Sequence, residues 1–586
     1  MRLALVQFNP TVGDIDGNAE RMAGFIGRAR NDGATLVIFP ELAVCGYPPR
    51  DLLLCEGFVP ACVRATKRLG ERHTAGLTVV FGCPLPVDQE RPQHGTANSL
   101  LAYTDGRYLD YHDKRLLPTY DVFDEDRYFE PGDRAVVVRV GTWRVGLSIC
   151  EDLWRGEDAG FASRYAHDPD PVEALARAGM DLLVNPSASP FVLGKGARHR
   201  DILRKHAARH GVWVAAVNQV GGNDDLVFDG HAALYDPRGR AAAFGPGFEE
   251  SIVLADLPDE PGGAPRGGAA PTDPLLAAPQ TEQAFRALVL GTRDYVRKTG
   301  HARAIIGLSG GIDSAVTACI AVTALGRENV TGVAMPGKYS SEGSIRDARD
   351  LADRLGIRLL TVPIGPAFDG FRASLDPAMR ELGESALGER LPDVAEQNLQ
   401  SRARGTTLMA LSNRTGALVL TTGNKSELAV GYCTLYGDMN GGLAVLADVT
   451  KRLVYDLARW MNANPGAAGF SRPPVPEASI AKPPSAELAP NQRDQDTLPP
   501  LRRPRRDRRP LRRAARVPLA HHRRDRLRRT DRAPDRPPHR RQRVQTPPTR
   551  HGHQDHVRRV RHGPAQADRP AVAGSVDRRP SRPAGA

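Results

Sequence analysis

The sequence has few of the residues that mark secreted or membrane-spanning proteins. Its seven cysteines have irregular spacings and form no Cys-x-x-Cys pair, so neither a disulfide framework nor a zinc site is indicated. No apolar run approaches the roughly 20 residues that span a bilayer. The N-terminus runs into alternating sequence without a small-residue cleavage site, which predicts a first strand. We therefore expect a cytoplasmic protein without a membrane partner.

Residues 501–586 lack Phe, Tyr, Trp, Ile, Met, Cys, Lys, Glu and Asn altogether. They contain 27 Arg and 7 Asp, a charge of +20, so residues 1–500 carry −8 of the chain's net +12. Such a segment cannot bury apolar surface and is predicted to be disordered. Because Lys and Glu are absent, we interpret it as GC-rich coding DNA read in the wrong frame. A nucleic-acid-binding tail is the alternative.

The first 500 residues divide into two stretches that alternate short β-branched runs with helical patterns, typical of α/β domains. The first stretch, 1–256, is predicted to be one domain, with runs at 35–39, 77–81, 135–140, 145–149, 181–184 and 212–217. Residues 257–280 are rich in Pro, Gly and Ala, which indicates a linker. Residues 281–500 are predicted to form a second α/β domain.

Three motifs in the first domain place reactive side chains beside predicted strands. Glu41 follows an apolar strand, Lys114 lies in the motif at 112–120, and Cys150 ends the strand region at 145–149. Open α/β sheets place their sites at strand C-termini. A cysteine thiolate is a nucleophile, a nearby cation lowers its pKa, and a carboxylate can carry its proton. A lone strand-end cysteine is often only buried, but the three motifs in order indicate an amidase triad.

These motifs resemble the nitrilase, or carbon–nitrogen hydrolase, superfamily over about residues 1–255. The resemblance implies an αββα sandwich in which Glu41 is the general base, Lys114 stabilises the oxyanion and Cys150 forms a thioester. The motifs at 120–129 and 187–195 are similar to the glutamine-hydrolysing branch. They imply glutamine contacts from three further residues: Tyr120, Ser189 and Lys195.

In the second domain, a strand at 304–308 leads into a glycine-rich turn and a helix at 315–325. Backbone amides at such a turn bind phosphate oxygens, and glycine allows their close approach. No Gly-Lys-Ser/Thr follows, so this is not a Walker A loop. The turn resembles the pyrophosphate loop of N-type ATP pyrophosphatases, which have a Rossmann-like adenine nucleotide alpha hydrolase fold. The resemblance implies ATP as co-substrate, Mg²⁺ on Asp313, and these loop contacts: Gly307, Leu308, Ser309, Gly310, Gly311, Ile312, Asp313 and Ser314.

Motifs at 334–344, 396–402, 421–427 and 431–438 are similar to NAD synthetase. With the first domain, the chain resembles the bacterial glutamine-dependent NAD⁺ synthetases over about residues 1–500. The resemblance implies that ATP adenylates deamido-NAD⁺, that ammonia from glutamine displaces AMP, and that homo-oligomers form through both domains. Thr422 would contact ATP, and Glu427 would be a second Mg²⁺ ligand. Asp438 and Lys451 would assist at the reacting centre, and deamido-NAD⁺ would contact Asn398, Glu427, Tyr432, Cys433, Thr434 and Leu435.

The likeness stops near residue 500. Residues 481–488 resemble a mobile active-site loop of the family. Family members end in a basic segment with a substrate-binding lysine, but in this chain Lys482 is the last lysine. One alternative is another amidotransferase with the Ser-Gly-Gly-x-Asp-Ser motif, such as a GMP or asparagine synthetase, but those carry other glutaminase types. A second is a nucleic-acid-binding protein using the Arg-rich tail, and a third is a frameshifted remnant that keeps only glutaminase activity. We expect no nucleic-acid partner.

If the chain is translated as written, we expect glutamine hydrolysis to persist while NAD⁺ formation is weak or absent, because the deamido-NAD⁺ site lacks its last segment. Glutamate and NAD⁺ assays on the 586-residue chain measure both activities. Full-rate NAD⁺ formation would contradict the expectation. Reading the DNA around codon 500 in all three frames is an independent check, because a helical, Lys-containing C-terminus in another frame would identify a frame error.

Overall fold

The computed structural model describes residues 1–88, 95–261, 271–387, 392–490 and 492. The basic segment 501–586, residues 494–500 and the centre of the expected linker lie outside these ranges, and the expectations for them stay predictions. No helix in the ranges described is both long enough and apolar enough to cross a bilayer.

The first half of the chain alternates strands and helices, as its sequence predicts. Its strands are β1 (Arg2–Gln7), β2 (Leu36–Ile38), β3 (Thr78–Pro86), β4 (Thr96–Thr104), β5 (Arg107–Asp113), β6 (Val136–Val140), β7 (Trp143–Leu147), β8 (Leu182–Ser187), β9 (Trp213–Asn218), β10 (Val220–Asn223), β11 (Leu226–Asp229), β12 (Ala233–Tyr235), β13 (Ala241–Phe244) and β14 (Ser251–Asp256). Its helices are α1 (Ile15–Asn31), α2 (Phe58–His73), α3 (Glu151–Trp154), α4 (Pro171–Arg177) and α5 (Lys195–His210), with 3₁₀ turns at Arg50–Leu54, Glu125–Arg127 and Ala162–Tyr165.

These strands build two six-stranded sheets, ordered β14-β1-β2-β3-β4-β5 and β13-β12-β9-β8-β7-β6. Alternation along β1 shows the layering, since successive side chains of a strand point to opposite faces. Leu3 and Leu5 join the core that includes β7 and β8 of the second sheet, whereas Ala4 and Val6 pack with α1 and α2. Helices α4 and α5 cover the second sheet. The predicted αββα sandwich is confirmed.

The second half contains a parallel sheet with helices on both faces. Its strands are β15 (Ala304–Gly307), β16 (Val330–Ala334), β17 (Arg358–Thr361), β18 (Leu418–Thr421) and β19 (Leu443–Ala444). Its helices are α6 (Pro274–Ala277), α7 (Gln280–Lys298), α8 (Ile312–Leu325), α9 (Glu342–Leu355), α10 (Gly365–Glu381), α11 (Val394–Thr415), α12 (Lys425–Val430), α13 (Lys451–Ala463) and α14 (Glu477–Ala481), with a 3₁₀ turn at Arg327–Asn329.

The strand order of this sheet is β17-β16-β15-β18-β19, and each neighbouring pair is parallel. Ile306 faces the core formed with α7, α8 and α13, and Ile305 faces the core formed with α11. This doubly wound arrangement confirms the predicted Rossmann-like fold. Helix α8 begins at Ile312, three residues before the predicted start, because Gly311 already occupies the N-cap.

The stretch expected to be a linker contains ordered structure at its second end. Helix α6 is capped by Asp273, whose side chain accepts a hydrogen bond from the Leu275 amide at 3.0 Å. The same carboxylate forms a buried ion pair with Arg200 of α5 at 2.8 Å. The composition of 257–280 therefore predicted a connection between halves but missed the part that docks on the first domain.

Candidate active sites

Glu41 lies on the loop after β2 and is 1% exposed. Its Oε1 accepts hydrogen bonds from Lys114 Nζ and Asn98 Nδ2, each at 2.7 Å. Its Oε2 accepts a hydrogen bond from the Ala188 amide at 2.8 Å. Because Ala188 follows β8 of the opposite sheet, the carboxylate is fixed by both layers of the sandwich.

Lys114 follows β5, and its ammonium group is buried between Glu41 and Glu125. Nζ donates to Glu125 Oε1 at 2.8 Å, and that oxygen also accepts from the Tyr47 hydroxyl at 2.8 Å. Burial alone would lower the pKa of Lys114, but the charges of Glu125 and Glu41 raise it well above its usual value. The cation is therefore permanent and held in place, as a donor to a developing oxyanion must be.

Cys150 joins β7 to α3 with a φ of 42°, a left-handed conformation that costs a non-glycine residue about 1–3 kcal/mol. Its amide donates to the Pro186 carbonyl at 3.0 Å. Burial raises the pKa of the Cys150 thiol well above its usual value, Glu41 adds to the shift, and Lys114 opposes it. The resting thiol is therefore protonated, and a reaction at its sulfur needs a base.

Asp152 connects the strained turn at Cys150 to the loop that carries Lys114. Its Oδ1 accepts from the amides of Arg115 and Leu116 at 2.9 and 3.0 Å, and its Oδ2 accepts from the Ile149 amide at 3.0 Å. Burial would raise the pKa of Asp152, but its bond to His112 and these amides lower it. The nucleophile and the cation are thus joined through one buried carboxylate.

Tyr120 and Glu151 form a polar pair next to the cysteine. The Tyr120 hydroxyl donates to Glu151 Oε2 at 2.8 Å, and its ring stacks on Phe161 at a centroid distance of 4.3 Å. Glu151 Oε1 is buried without a hydrogen-bond partner in the described part of the chain. Burial raises the pKa of Glu151 to about 7, although Tyr120 lowers it. An unpaired carboxylate oxygen here favours a cationic ligand group.

Ser189 and Lys195 meet at a second polar group. Lys195 Nζ donates to Ser189 Oγ at 3.0 Å and pairs with Asp158 Oδ2 at 2.8 Å. His199 Nε2 lies 2.9 Å from the same oxygen, and its ring stacks on Trp154 of α3 at 4.2 Å. Burial would raise the pKa of Asp158, but His199 and Lys195 hold it well below its usual value. Helix α5 is thereby attached to the segment that follows the nucleophile.

The structure thus brings Glu41, Lys114 and Cys150 together, and the three predicted glutamine contacts, Tyr120, Ser189 and Lys195, lie in the two polar groups described above. Sequence reasoning missed Glu125, Glu151 and Asp158. Glu125 stands among three other acidic residues at 121–126, and nothing in the sequence separates the buried one from its exposed neighbours. Glu151 directly follows Cys150, and that adjacency is the signal that could have identified it.

The second site is a cavity of about 290 Å³, open to solvent, at the ends of β15, β16 and β18. Gly310 lies in the glycine-rich turn with a φ of +75°. A Cβ at this position would lie 2.3 Å from the Ser344 carbonyl oxygen. Glycine is therefore required there. All the other predicted nucleotide contacts line the cavity, namely Gly307, Leu308, Ser309, Gly311, Ile312, Asp313, Ser314 and Thr422.

Lys451 joins the two predicted metal ligands. Its Nζ donates to Asp313 Oδ2 at 2.5 Å and to Glu427 Oε1 at 3.3 Å. Asn424, the N-cap of α12, donates to Asp313 Oδ1 at 2.9 Å. Burial and the charge of Asp313 raise the pKa of Glu427, while the Lys451 cation lowers it. Two carboxylates and one ammonium group thus lie together near the N-terminus of α8.

Only some of the predicted deamido-NAD⁺ contacts line the cavity or contact one another. Thr434 Oγ1 donates to Asn398 Oδ1 at 2.8 Å, and the Thr434 amide donates to Asp438 Oδ1 at 2.6 Å. Asp438 lines the cavity, as does Tyr432. Leu435 is 65% exposed and Cys433 is half-buried, and neither is among the residues that line the cavity.

The loop expected at 481–488 closes one side of the cavity. Lys482 Nζ bonds to Asp347 Oδ2 at 2.7 Å and to Ser344 Oγ at 2.9 Å. Glu487 Oε1 accepts from Ser344 Oγ at 2.7 Å. Arg404, missed by the motif matching, also lines the cavity, and burial lowers its pKa. The half-buried guanidinium of Arg404 brings a positive charge to the wall of this cavity.

Two family models match the chain. Residues 2–262 match carbon-nitrogen hydrolase, and residues 284–501 match NAD synthase. The second match ends where the composition of the sequence changes.

Relatives of known identity cover both halves. A "Glutamine-dependent NAD(+) synthetase" of Synechocystis sp. is 44% identical over 462 residues, which are 78% of this chain and 80% of that protein. The protein of the same name from Thermotoga maritima is 40% identical over 496 residues, 79% and 81% of the two chains. The glutamine-dependent NAD⁺ synthetase of Acinetobacter baumannii, solved with adenosine diphosphate, superposes with a TM-score of 0.72. It is 37% identical and covers 83% of this chain and 86% of its own.

The buried carboxylate of Glu151, one oxygen of which has no hydrogen-bond partner in the described part of the chain, predicts a pH-dependent gain in stability on Glu151→Gln. Its pKa is raised to about 7 from 4.5, so the folded protein is destabilised as the pH rises through this window. Gln cannot titrate. The free energy of unfolding of the variant relative to the parent should therefore improve by about 3 kcal/mol between pH 4.5 and pH 8.

Denaturant titrations at both pH values measure this difference. Glu157→Gln is the control, because Glu157 is exposed. A difference between variant and parent that does not change with pH would contradict the prediction.

Proposed function

The chain belongs to the family of glutamine-dependent NAD⁺ synthetases, and we propose that its two sites divide that reaction between them. The enzyme hydrolyses glutamine to ammonia and uses ATP to convert deamido-NAD⁺ to NAD⁺, AMP and pyrophosphate. One observation carries the assignment of residues: the buried Glu41–Lys114–Cys150 group lies in the same chain as a glycine-rich nucleotide loop. A GMP or asparagine synthetase would pair that loop with another glutaminase type.

At the first site, Glu41 accepts the thiol proton of Cys150 as Sγ attacks the carboxamide carbon of glutamine. Lys114 donates to the oxyanion that forms, because Glu125 holds its ammonium group beside Glu41. Glu41 then returns the proton to the leaving nitrogen, which departs as ammonia and leaves a thioester. A water molecule, deprotonated by Glu41, releases glutamate.

Glutamine is selected by the charges of its α-carbon groups. Its α-ammonium group fits the unpartnered oxygen of Glu151, next to Tyr120. Its α-carboxylate fits Lys195, whose ammonium group is held by Ser189 and Asp158. A simple amide without these two groups forgoes both ion pairs, so the pocket favours the free amino acid.

At the second site, the amides of the turn at 309–314 and the N-terminus of α8 bind the phosphates of ATP. The described residues hold no cluster of three or more His, Cys, Asp or Glu side chains arranged for a metal. Mg²⁺ is usually bound by one or two carboxylates together with substrate phosphates, which fits Asp313 and Glu427. The ion would neutralise charge on the phosphates and on the leaving pyrophosphate.

Amidation needs a carboxylate made reactive and an amine kept uncharged. Adenylation turns the nicotinate oxygen of deamido-NAD⁺ into part of a leaving group. Lys451 and Asp438 flank the position of this carboxylate in the cavity, and Thr434 orients Asp438. Because free ammonia is mostly protonated at neutral pH, its release inside the same chain favours attack on the adenylate.

A homo-oligomer and a cytoplasmic location remain part of the proposal. Partners that follow from the family are glutamine, ATP and deamido-NAD⁺. The frameshifted remnant also stays a prediction, because residues 501–586 lie beyond what the structure describes.

Replacing Cys150 should separate the two half-reactions. Cys150→Ala removes the nucleophile, so we expect no NAD⁺ formation from glutamine but continued formation from ammonium. The measurement is NAD⁺ formation with each nitrogen source. Cys55→Ala, at an exposed cysteine, should retain both activities. Retention of glutamine-driven turnover by the Cys150 variant would show that the nucleophile is assigned wrongly.

Replacing Asp313 should affect both nitrogen sources alike. Asp313→Asn removes a charge from the phosphate and Mg²⁺ site, and we expect pyrophosphate release to fall about 100-fold or more with either glutamine or ammonium. Asp353→Asn, at an exposed carboxylate of α9, is the matched control. Basal glutaminase activity of the Asp313 variant should be unaffected. Pyrophosphate release at the parent rate would exclude Asp313 from the ATP site.

A further inference from the structure

The segment that follows α3 forms a tight turn beside Tyr120. The Phe161 amide donates to the Gly156 carbonyl at 2.6 Å, and Gly156 has a φ of +66°, which closes the turn. The Phe161 ring stacks on the Tyr120 ring at a centroid distance of 4.3 Å, and the Tyr120 hydroxyl donates to Glu151 at 2.8 Å. Asp158 lies within the turn and is 8% exposed. Two buried carboxylates therefore lie close to the same tyrosine.

Asp158 is held through one of its two oxygens. Its Oδ2 pairs with Lys195 Nζ at 2.8 Å and lies 2.9 Å from His199 Nε2, and both partners belong to α5. Because a carboxylate can only accept, His199 Nε2 carries the proton of this bond. Burial would raise the pKa of Asp158, but His199 and Lys195 hold it well below its usual value. The carboxylate is therefore ionised at neutral pH, and its position is fixed.

The other oxygen of Asp158 is left for a ligand. Asp158 Oδ1 is buried and has no hydrogen-bond partner within the described ranges, and the same holds for Glu151 Oε1. Burial raises the pKa of Glu151 to about 7, and the charge of Asp158 adds to the shift, so the two carboxylates lie close enough to repel each other. A buried anionic oxygen without a donor is costly. A single cation with several N–H donors would satisfy both oxygens.

A free amino acid carries the charges that this arrangement complements. Its α-ammonium and α-carboxylate groups are attached to one carbon, so a site that binds both must present charges of both signs side by side. The ion pair of Lys195 with Asp158 does so. When an amino acid binds, Lys195 can pair with its carboxylate while the free oxygens of Asp158 and Glu151 accept from its ammonium group. His199 keeps its bond to the other oxygen of Asp158.

We propose that Asp158 is a specificity-determining residue, which binds the α-ammonium group of glutamine through Oδ1 together with Glu151. The inference rests on the proposed function, and it adds a ligand that motif matching missed. Asp158 keeps its charge at neutral pH, whereas Glu151 titrates there, so Asp158 supplies the constant part of the attraction. The site therefore selects amides with a free, charged α-amino group and rejects glutamine whose α-nitrogen is acylated, as it is at the C-terminus of a peptide.

The test measures ammonia release by the 586-residue chain from amides that differ only at the α-carbon. They are L-glutamine, 5-amino-5-oxopentanoate without the ammonium group, 4-aminobutanamide without the carboxylate, and N-acetyl-L-glutamine. In the parent, kcat/KM for L-glutamine should exceed the values for 5-amino-5-oxopentanoate and N-acetyl-L-glutamine at least about 30-fold, because these two leave a buried carboxylate without its cation. Equal values for L-glutamine and 5-amino-5-oxopentanoate would overturn the proposal.

Asp158→Asn is compared with Glu157→Gln, the same change at the neighbouring exposed carboxylate. For Asp158→Asn we expect kcat/KM for L-glutamine to fall at least about 30-fold. The loss should lie chiefly in KM, because the α-carbon is remote from the reacting amide. Hydrolysis of 5-amino-5-oxopentanoate should stay the same or improve, since Lys195 loses a competing anion. The Glu157 variant should match the parent with both amides, and an Asp158 variant that does so refutes the assignment.

The reciprocal variant Lys195→Met separates direct binding by Asp158 from support of Lys195. It removes the cation for the α-carboxylate, so L-glutamine and 5-amino-5-oxopentanoate should both be hydrolysed less well, with 4-aminobutanamide the least affected. The proposal is overturned if Asp158→Asn gives this Lys195 pattern, or if it lowers kcat/KM equally for all the amides.

Glu151→Gln decides the matter if Asp158→Asn does not fold. The preference for L-glutamine over 5-amino-5-oxopentanoate should then shrink but persist, because Asp158 still binds the ammonium group. Complete loss of the preference in this variant would assign the ammonium group to Glu151 alone and overturn the proposal. Failure of the proposed function is a separate result, namely a parent chain that releases no ammonia from L-glutamine.

Discussion

A buried lysine between two carboxylates organises the first half of this enzyme. Removing a cation from water is costly unless opposite charges meet it closely, and Lys114 meets Glu41 and Glu125 at 2.7 and 2.8 Å. Glu41 lies on the loop after β2, Lys114 and Glu125 lie in the connection between β5 and β6, and the Ala188 amide adds a contact from the opposite sheet. These ion pairs therefore fix the positions of the loops. The strained turn at Cys150 is connected to the same loops through Asp152.

The second site uses the same elements in a looser form. Lys451 also lies between two carboxylates, but Asp313 and Glu427 are 17% and 22% exposed and line an open cavity. Solvent access lowers the cost of separating the ions. In the proposed reaction, a divalent ion can therefore replace the ammonium group as the partner of the two carboxylates, and a phosphate can then pair with the ammonium group. The buried group around Lys114 suits a proton transfer that is repeated in each turnover. The more exposed group around Lys451 suits the binding and release of a nucleotide.

Sequence patterns predicted what depends on strand ends and local turns, and they missed what depends on tertiary contact. Glu41, Lys114 and Cys150 each follow a strand, and these strands belong to both sheets, since β2 and β5 are in the first sheet and β7 is in the second. Gly310 could be assigned to a tight turn, although its collision with Ser344 is visible only in the fold. Glu125 could not be chosen among the acids of its loop, because its burial depends on Tyr47, 78 residues away. The roles of the individual residues remain predictions.

The junction between the halves shows why composition misleads about linkers. Residues 257–280 contain the Pro, Gly and Ala of a flexible tether, yet Asp273 binds Arg200 in a buried ion pair, and α7 begins immediately afterwards. A free tether would let the two sites drift, and ammonia released between them would be protonated by water. Asp294 and Lys298 of α7 oppose such drift, because separating the halves would break their buried hydrogen bonds to the first half. The connection is therefore better understood as a fixed joint, in which buried charges hold the two halves together.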